Sequence, residues 1–482
     1  MAQASKQYTK VTTGQPNWNN QTMWTGDNLD IMRGMNSASV DLIYADPPFN
    51  SNANYAAPIG SKAAGAAFKD TWGLDDINLA WYGEIKHEYP GLYDLLTAVR
   101  TIHGDSMMSY LIYMAVRLME MKRLLKPTGS LYLHCDPTAS HYLKLLLDCV
   151  FGKAHFQNEI SWRRTTTKGD WRQGATNYPR VHDVLLYYSK NASQAAYQQV
   201  FVPYGQDYIK KSYRHTEPET GRRYRLDNLS APGGGQRGHP RYELLGVTRY
   251  WRYNEEKMHQ LLAAGRIIQT APGRVPAYKR YLDEMPGVAV SDIWADIAPV
   301  QGSAKERQGY PTQKPLTLVR RLVQTSVPPD GIVLDPFCGC ATACIAAEME
   351  GRHWVGIDIS PKAAALVQSR MQDELGLFFQ GSHRTDIPKR TDLGKVLPYN
   401  DAKNKRWLYG EQGGFCLGCQ EHFQARHLTI DHIIPRAKGG TDHISNLQLL
   451  CNSCNTIKGT KTQAELIVAL TDKGYIKRKM AA

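Results

Sequence analysis

Residues 331–358 read GIVLDPFCGCATACIAAEMEGRHWVGID. An apolar run ends on Asp335, a turn of small residues follows, then a helix over 341–350, then a second apolar run, 353–358, that ends on Asp358. Strand, tight turn, helix and strand make the repeating unit of an α/β sheet. Small residues in such a turn let the backbone approach a nucleotide-like ligand closely. Asp358 stands at a strand tip, where an acid accepts hydrogen bonds from two ribose hydroxyls.

The alternation extends outward. Helices are expected at 315–326 and 361–374. Far upstream, VDLIYA (40–45) reads as a buried strand closed by the turn Asp46-Pro47-Pro48-Phe49. A Gly/Ala-rich stretch from Pro58 to Ala67 reads as a loop beside that turn. Residues 106–126 have helical spacing, with Asp105 as cap and Pro127 and Gly129 as stop signals. GSLYLHCD (129–136) reads as a strand, Pro137 opens a helix to about Val150, and 158–164 and 182–190 read as two further strands. The alternation fails between 191 and 300, which is rich in Arg, Tyr, Gly and Pro. The expected division is therefore a first core half at 1–190, an insert at 191–300, a second core half at 301–380, a linker at 381–410 and a small unit at 411–482.

The 482 residues carry a formal net charge of +13, and the excess is uneven. Residues 153–330 hold 27 Lys/Arg against 16 Asp/Glu, and residues 401–482 hold 12 against 7, whereas residues 1–152 hold 12 against 14. Tyr208, Tyr213, Tyr224, Tyr242, Tyr250 and Trp251 are interleaved with the cations of the insert, a composition suited to nucleic acid. No apolar run approaches the roughly 18 residues of a membrane span, and MAQASKQYTK has no apolar signal core, so a cytosolic protein is expected. Four of the nine cysteines fall into two C-x-x-C pairs, which in a cytosolic chain favours a metal over disulfides.

The Asp46 turn suggests chemistry on an exocyclic amine, whose nitrogen lone pair is delocalised into a ring. Asp46 and the Pro47 carbonyl can each accept one amine hydrogen, turning the lone pair toward a methyl donor. Pro47 and Pro48 stiffen the turn, and Phe49 can stack on an extruded base. DPPF followed by PTQKP (311–315) and DPFCGCATA (335–343) resembles the amino-methyltransferases of bacterial restriction–modification systems, in the permuted order of the β class. The resemblance covers roughly residues 20–375. It implies a Rossmann-like S-adenosylmethionine-dependent core with Asp46, Pro47 and Phe49 as the catalytic set. It places Asp335, Phe337, Gly339 and Asp358 along the cofactor, Asp27 at its adenine, and Thr312, Gln313 and Lys314 at its methionine end. It makes the insert a reader of double-stranded DNA, suggests a homodimer, and points to a bacterial or phage-encoded cytoplasmic protein. A leading Asp favours adenine N6; the alternative is cytosine N4. Ala341 stands where the family has a second glycine, and its methyl is expected to narrow the turn.

Cys416-x-x-Cys419 and Cys451-x-x-Cys454 suit a structural zinc ion. Between and after them lie Asp431-His432, Gly439-Gly440, Asn446 and Asn455, and this set resembles the HNH nucleases with their ββα-metal fold. The resemblance implies a divalent cation, Mg2+ or Mn2+, between Asp431 and Asn455, with His432 as general base and Asn446 orienting the imidazole. The alternative is a zinc-braced module that binds DNA without cutting. Elsewhere, Cys338, Cys340 and Cys344 read as packing residues of the turn, Cys135 and Cys149 as core, and His134 as structural. Trp162-Arg163-Arg164 reads equally as a DNA contact and as an amphipathic edge strand.

Overall fold

The computed structural model describes residues 15–49, 53–56, 67–70, 85, 89–167, 176–301, 304, 306–310, 312–376, 379–393 and 396–476. Residues 58–66 of the expected loop lie outside the described residues, and Ala67 opens a short strand, Ala67–Asp70, antiparallel to Ala53–Ala56.

Among the described residues nine strands form one sheet: β1 (Thr22–Thr25), β2 (Val40–Ala45), β3 (Leu125–Cys135), β4 (Phe156–Arg163), β5 (His182–Ser189), β6 (Ile293–Trp294), β7 (Ile332–Asp335), β8 (His353–Asp358) and β9 (Ser382–Arg384). Their order is β6-β4-β5-β3-β2-β7-β8-β1-β9. β5 is antiparallel to both its neighbours, and the other pairs are parallel. Every residue of β2 is buried, as expected of a parallel strand covered on both faces. β2 lies beside β7, with Leu42 opposite Val333 and Ile43 opposite Leu334. The two core halves, distant in the chain, therefore meet at a topological switch point, where ligands of open α/β sheets bind beyond the strands' carboxyl ends. Asp46 and Asp335 emerge there together.

Several element boundaries depart from expectation. One long helix, Pro90–Leu124, replaces the helix at 106–126, and a break at Gly104 (φ 79°) divides it. The expected segment buries Met107, Leu111, Met114, Leu118 and Met121. The chain then enters β3 at Leu125, because Leu125 already pairs with Val40, and Pro127 and Gly129 fall within an irregularity of that pairing rather than stopping a helix. The helix expected from Pro137 begins at Ser140, after a turn in which Asp136 accepts the Thr138 N–H. Its outer face leaves Cys149 exposed, against the expectation of a core residue.

A compact unit spans Gln199–Ser291. It holds a four-stranded sheet and the hairpin Arg241–Leu244/Val247–Tyr250, built around Leu229, Leu244, Trp251, Met258 and Ile267. The flanks of the expected insert belong to the larger unit. Gln198 N bonds Thr325 O, and β6 pairs with β4. That pairing makes β4 interior, and Trp162 is buried with its Nε1 donating to Ile297 O. Within the compact unit Arg222 pairs with Asp283 and Glu284, and Arg266 with Glu284. Arg237, Arg241, Arg249, Arg252 and Arg274 are exposed and form no ion pair with a described residue.

The stretch expected as a linker is largely built into the structure. Ser382–Arg384 is the edge strand β9. Asp392 accepts Ser37 N, and Thr391 bonds Asn36. A helix, Ala402–Glu411, sends Leu408 into the C-terminal core. A three-residue edge strand and a helix with two buried side chains leave little apolar pattern to read. In the C-terminal unit Leu428–His432 pairs antiparallel with Leu447–Cys451, and helices Asn452–Lys458 and Gln463–Asp472 follow. No helix among the described residues is long and apolar enough to cross a membrane.

Candidate functional site

A cavity of about 400 Å3 opens at the switch point. Its walls include both turns read from the sequence: Asp46, Pro47, Pro48 and Phe49 from one, and Asp335, Phe337, Gly339 and Asp358 from the other. Asp27, Thr312, Gln313 and Lys314 border it too, so all the residues expected around one ligand in the core line one space. Tyr44, Asn28, Tyr113, Arg117 and Tyr310 also line it and were not foreseen. Of these, Asn28, Tyr44 and Tyr310 stand beside or within motifs read from the sequence, whereas Tyr113 and Arg117 lie on a helix that read as core.

The cofactor half is built from backbone and carboxylates. Asp358 accepts Gly339 N through Oδ2 at 2.8 Å and Ser360 N through Oδ1 at 2.8 Å, which fixes the turn over the strand tip. Asp335 accepts Phe337 N. Gly356 lets the turn lie flat, since a Cβ there would stand 2.6 Å from Cys338 Sγ. Cys338 and Cys344 pack Sγ to Sγ at 3.6 Å. Asp27 caps the helix Asn28–Gly34 through Leu29 N and pairs with Arg117, whose Nε donates to Asn28 Oδ1. Asn28 in turn donates to Pro336 O, tying the Asp27 corner to the Asp335 turn. Burial raises Asp335 well above the carboxylate range, Asp46 and Asp358 adding to the effect, and burial raises Asp358 as well. A concave, partly apolar site crowded with carboxylates suits a ligand that joins a nucleoside to positive charge.

The side chains of the PTQKP loop do not all face the expected way. Gln313 folds back on its own loop, accepting Gln308 N and donating to Glu306 O. Thr312 adopts φ 61°, a strained conformation for a β-branched residue. Lys314 points to Asp46, with Nζ 2.8 Å from Oδ1 and 2.7 Å from Oδ2.

His134 has more neighbours than a structural histidine needs. Its ring stacks on Phe49 with centroids 5.9 Å apart and takes Trp162 edge-on. Nδ1 lies 2.9 Å from Tyr44 Oη and Nε2 3.3 Å from Asp183, which also pairs with Arg164. Burial and the Lys314 charge lower the His134 pKa, so the ring backs Phe49 as a neutral group.

Ala341 adopts φ 61° and ψ 32° at the start of the helix Thr342–Met349. The left-handed conformation explains why glycine is preferred there, at about 1–2 kcal/mol for an L-residue. Ala341 is fully buried and is not among the residues bordering the cavity, so the expected narrowing does not reach the ligand space. Ala341→Gly should raise stability slightly, because the strain relieved exceeds the roughly 0.8 kcal/mol of one buried methyl. A thermal melt checks this, and a lower midpoint would contradict it.

In the C-terminal unit the Sγ atoms of Cys416, Cys419, Cys451 and Cys454 all lie within 4.8 Å of one another. A tetrahedral Zn–S4 centre needs sulfurs about 3.8 Å apart, so the cluster fits zinc. Asp431 and His432 end the strand Leu428–His432. Asn446 makes no hydrogen bond to the imidazole. Its side chain holds the loop backbone instead, donating to Ile434 O and Thr441 O and accepting Ile434 N. The imidazole partner is Asp442, 2.9 Å from His432 Nε2, which is itself held by Arg436. Gly440 admits no side chain, since a Cβ would stand 1.7 Å from Ile434 O. Lys458, fully buried, donates to His432 O and pairs with Asp431 Oδ2 at 2.8 Å. Asn455 lies one turn earlier on the same helix, on the face that Lys458 uses.

A family model described as DNA methylase matches residues 40–369, and one described as HNH endonuclease matches residues 416–471. The Type II methyltransferase M.EcaI of Enterobacter cloacae is 28% identical over 379 residues, 78% of this chain and 74% of that protein. The Mod subunit of the Type III restriction-modification enzyme StyLTI of Salmonella typhimurium is 27% identical over 340 residues, 67% of this chain and 49% of its own length. A solved putative DNA modification methylase of Thermus thermophilus, complexed with S-adenosyl-L-methionine, aligns with 76% of this chain and 98% of its own at 18% identity and a TM-score of 0.36.

Proposed function

The chain belongs to the DNA methylase family and carries an HNH endonuclease domain, and from that premise we propose that it methylates adenine N6 in double-stranded DNA and cuts DNA through its C-terminal module. The observation that supports the first activity most directly is one cavity bordered by both the Asp46 turn and the Asp335 turn. S-adenosylmethionine supplies, when bound, a methyl group on a cationic sulfur that leaves as a neutral thioether. The chain's own residues do the rest. Asp335 and Asp358 offer carboxyl acceptors at the two strand tips, and the Gly339 turn gives close backbone approach. Phe49 stacks on the extruded base. Asp46 and the Pro47 carbonyl accept the two amine hydrogens and aim the nitrogen lone pair, and the proton lost after transfer leaves by way of Asp46 to solvent.

The basic insert around 191–300 reads sequence, its exposed arginines meeting phosphates and base edges. Zn2+ held by Cys416, Cys419, Cys451 and Cys454 braces the module. Asp431, once released from Lys458, and Asn455 would hold a divalent cation, Mg2+ or Mn2+, which would supply positive charge for the scissile phosphate, and His432 would take the proton of the attacking water. The protein, bacterial or phage-encoded, works in the cytoplasm.

Nucleoside mass spectrometry on plasmid DNA incubated with protein and S-adenosylmethionine, without divalent metal, tests the methyl reaction. N6-methyladenine supports it, N4-methylcytosine moves the assignment to the other base, and neither product with cofactor bound defeats it. Adding Mg2+ and following plasmid linearisation or nicking tests the second activity, and intact plasmid in Mg2+ and Mn2+ alike would reduce the module to DNA binding.

A further inference from the structure

The contact between Lys314 and Asp46 is absent from the family-based expectation, which set Lys314 at the methionine end of the cofactor. Both oxygens of the Asp46 carboxylate are engaged by one ammonium, at 2.8 and 2.7 Å. The Lys314 side chain is 7% exposed and Asp46 18%, so this is a shielded pair and not a surface one. The same nitrogen lies 4.8 Å from the centroid of the Phe49 ring. A cation over an aromatic face and on a carboxylate satisfies both partners of the turn at once. Those two groups, the ring and the carboxylate, are also the ones an extruded base would use, stacking on Phe49 and donating its amine hydrogen to Asp46.

We propose that Lys314 is a positioning residue for methyl transfer: it occupies the place of the target amine in the base-free protein, yields one Asp46 oxygen when the base enters, and keeps the other to hold the carboxylate in line. The inference rests on the DNA-methylation reading and deepens it. Asp335 borders the same cavity as Asp46, and Lys314 is the cation paired with Asp46. A carboxylate held by one fixed ammonium has few orientations, and misplacement by about 1 Å can cost 10²-fold in rate. The Lys314 carbonyl, 3.5 Å from Thr342 Oγ1, lies against the helix that follows the cofactor turn, so the backbone stays anchored when the ammonium moves.

The test compares Lys314→Met and Lys314→Arg with the unmodified protein in single-turnover methyl transfer, together with equilibrium binding of S-adenosylmethionine. Lys314→Met is expected to lower kcat by about 10²-fold, to leave KM for DNA the same or lower because the amine site is vacated, and to leave cofactor Kd within about twofold. Lys314→Arg, which keeps the charge, recovers part of the rate. A loss of cofactor affinity of about tenfold or more in both variants would return Lys314 to the methionine end and overturn the proposal. Undiminished kcat in Lys314→Met would also overturn it. Should Lys314→Met fail to fold, Lys314→Arg decides alone: a changed kcat with unchanged cofactor Kd supports the proposal, and a changed Kd with unchanged kcat overturns it. Absence of transfer by the unmodified protein defeats the DNA-methylation reading itself, an outcome distinct from an active protein indifferent to Lys314.

Discussion

Asp46→Ala is expected to lower methyl transfer by at least about 10³-fold, the scale of removing a group that orients charge in a transition state. The carboxylate is the only side-chain acceptor of the DPPF turn, and the remaining Pro47 carbonyl can take one amine hydrogen but not two. The loss should fall on kcat. Asp335 and Asp358 keep their bonds to the cofactor turn, so cofactor affinity should change only a few-fold. Stability should fall as well, because Lys314 loses its partner in a shielded pair, and uncompensated buried charge costs about 3–5 kcal/mol at the buried limit. Asp46→Asn would share part of the defect, since its amide keeps one acceptor oxygen, puts a donor in place of the other and loses the charge that Lys314 pairs with. DNA cleavage should persist in both variants. Single-turnover transfer of labelled methyl checks the rate, and a variant retaining a tenth of normal transfer would remove Asp46 from its assigned role.

The core fold was legible because its signals are local. VDLIYA is fully buried as its composition demands, and a strand ending in Asp-Pro announces a turn wherever it occurs. The two turns could be placed in one site only through their order and their likeness to a family, since nothing local says that β2 will pair with β7. The residues that escaped reading act across the fold. Lys314 and Asp46 are 268 positions apart, and Arg117 reaches Asp27 from a helix face that otherwise looks like core. His134 sits in an apolar strand and gains its meaning from Phe49, Tyr44 and Asp183, each on another segment. In the C-terminal unit the resemblance gave the orienting task to Asn446. Asn446 shapes the backbone, and the shaped backbone delivers Asp442 to the imidazole. A short side chain with two amide arms is suited to the former task, and a carboxylate to the latter.

Cys451→Ser is expected to abolish DNA cleavage while leaving methyl transfer within about twofold or threefold. The apolar core of the C-terminal unit is small, gathered around Leu408, Leu428, Leu447, Leu449, Leu450, Leu466 and Leu470, and cores of this size rarely supply more than about 3–5 kcal/mol. Structural zinc contributes about 10–16 kcal/mol of binding to small folds of this kind, so removal of one thiolate outweighs everything else that holds the unit. Cys451 is also the partner of Leu428 in the antiparallel ladder, and the same ladder carries Asp431 and His432. Cys416 Sγ accepts Cys451 N, and Gly418 packs 2.7 Å from Cys454 Sγ at the position its Cβ would take, so the four-cysteine centre and the strand that bears Asp431 and His432 are one assembly. Loosening the first dissolves the second even with Mg2+ supplied. Among the described residues the Asp46 cavity draws no lining from this unit, which is why methylation should survive. Zinc content by atomic absorption, plasmid cleavage in Mg2+ and methyl transfer, all measured on one preparation, separate the outcomes. Zinc lost, cleavage lost and methylation kept is the expected pattern. Cleavage that persists at full rate in zinc-free protein would mean that the leucine core alone holds Asp431 and His432 in place, and that the four thiols brace nothing the reaction needs.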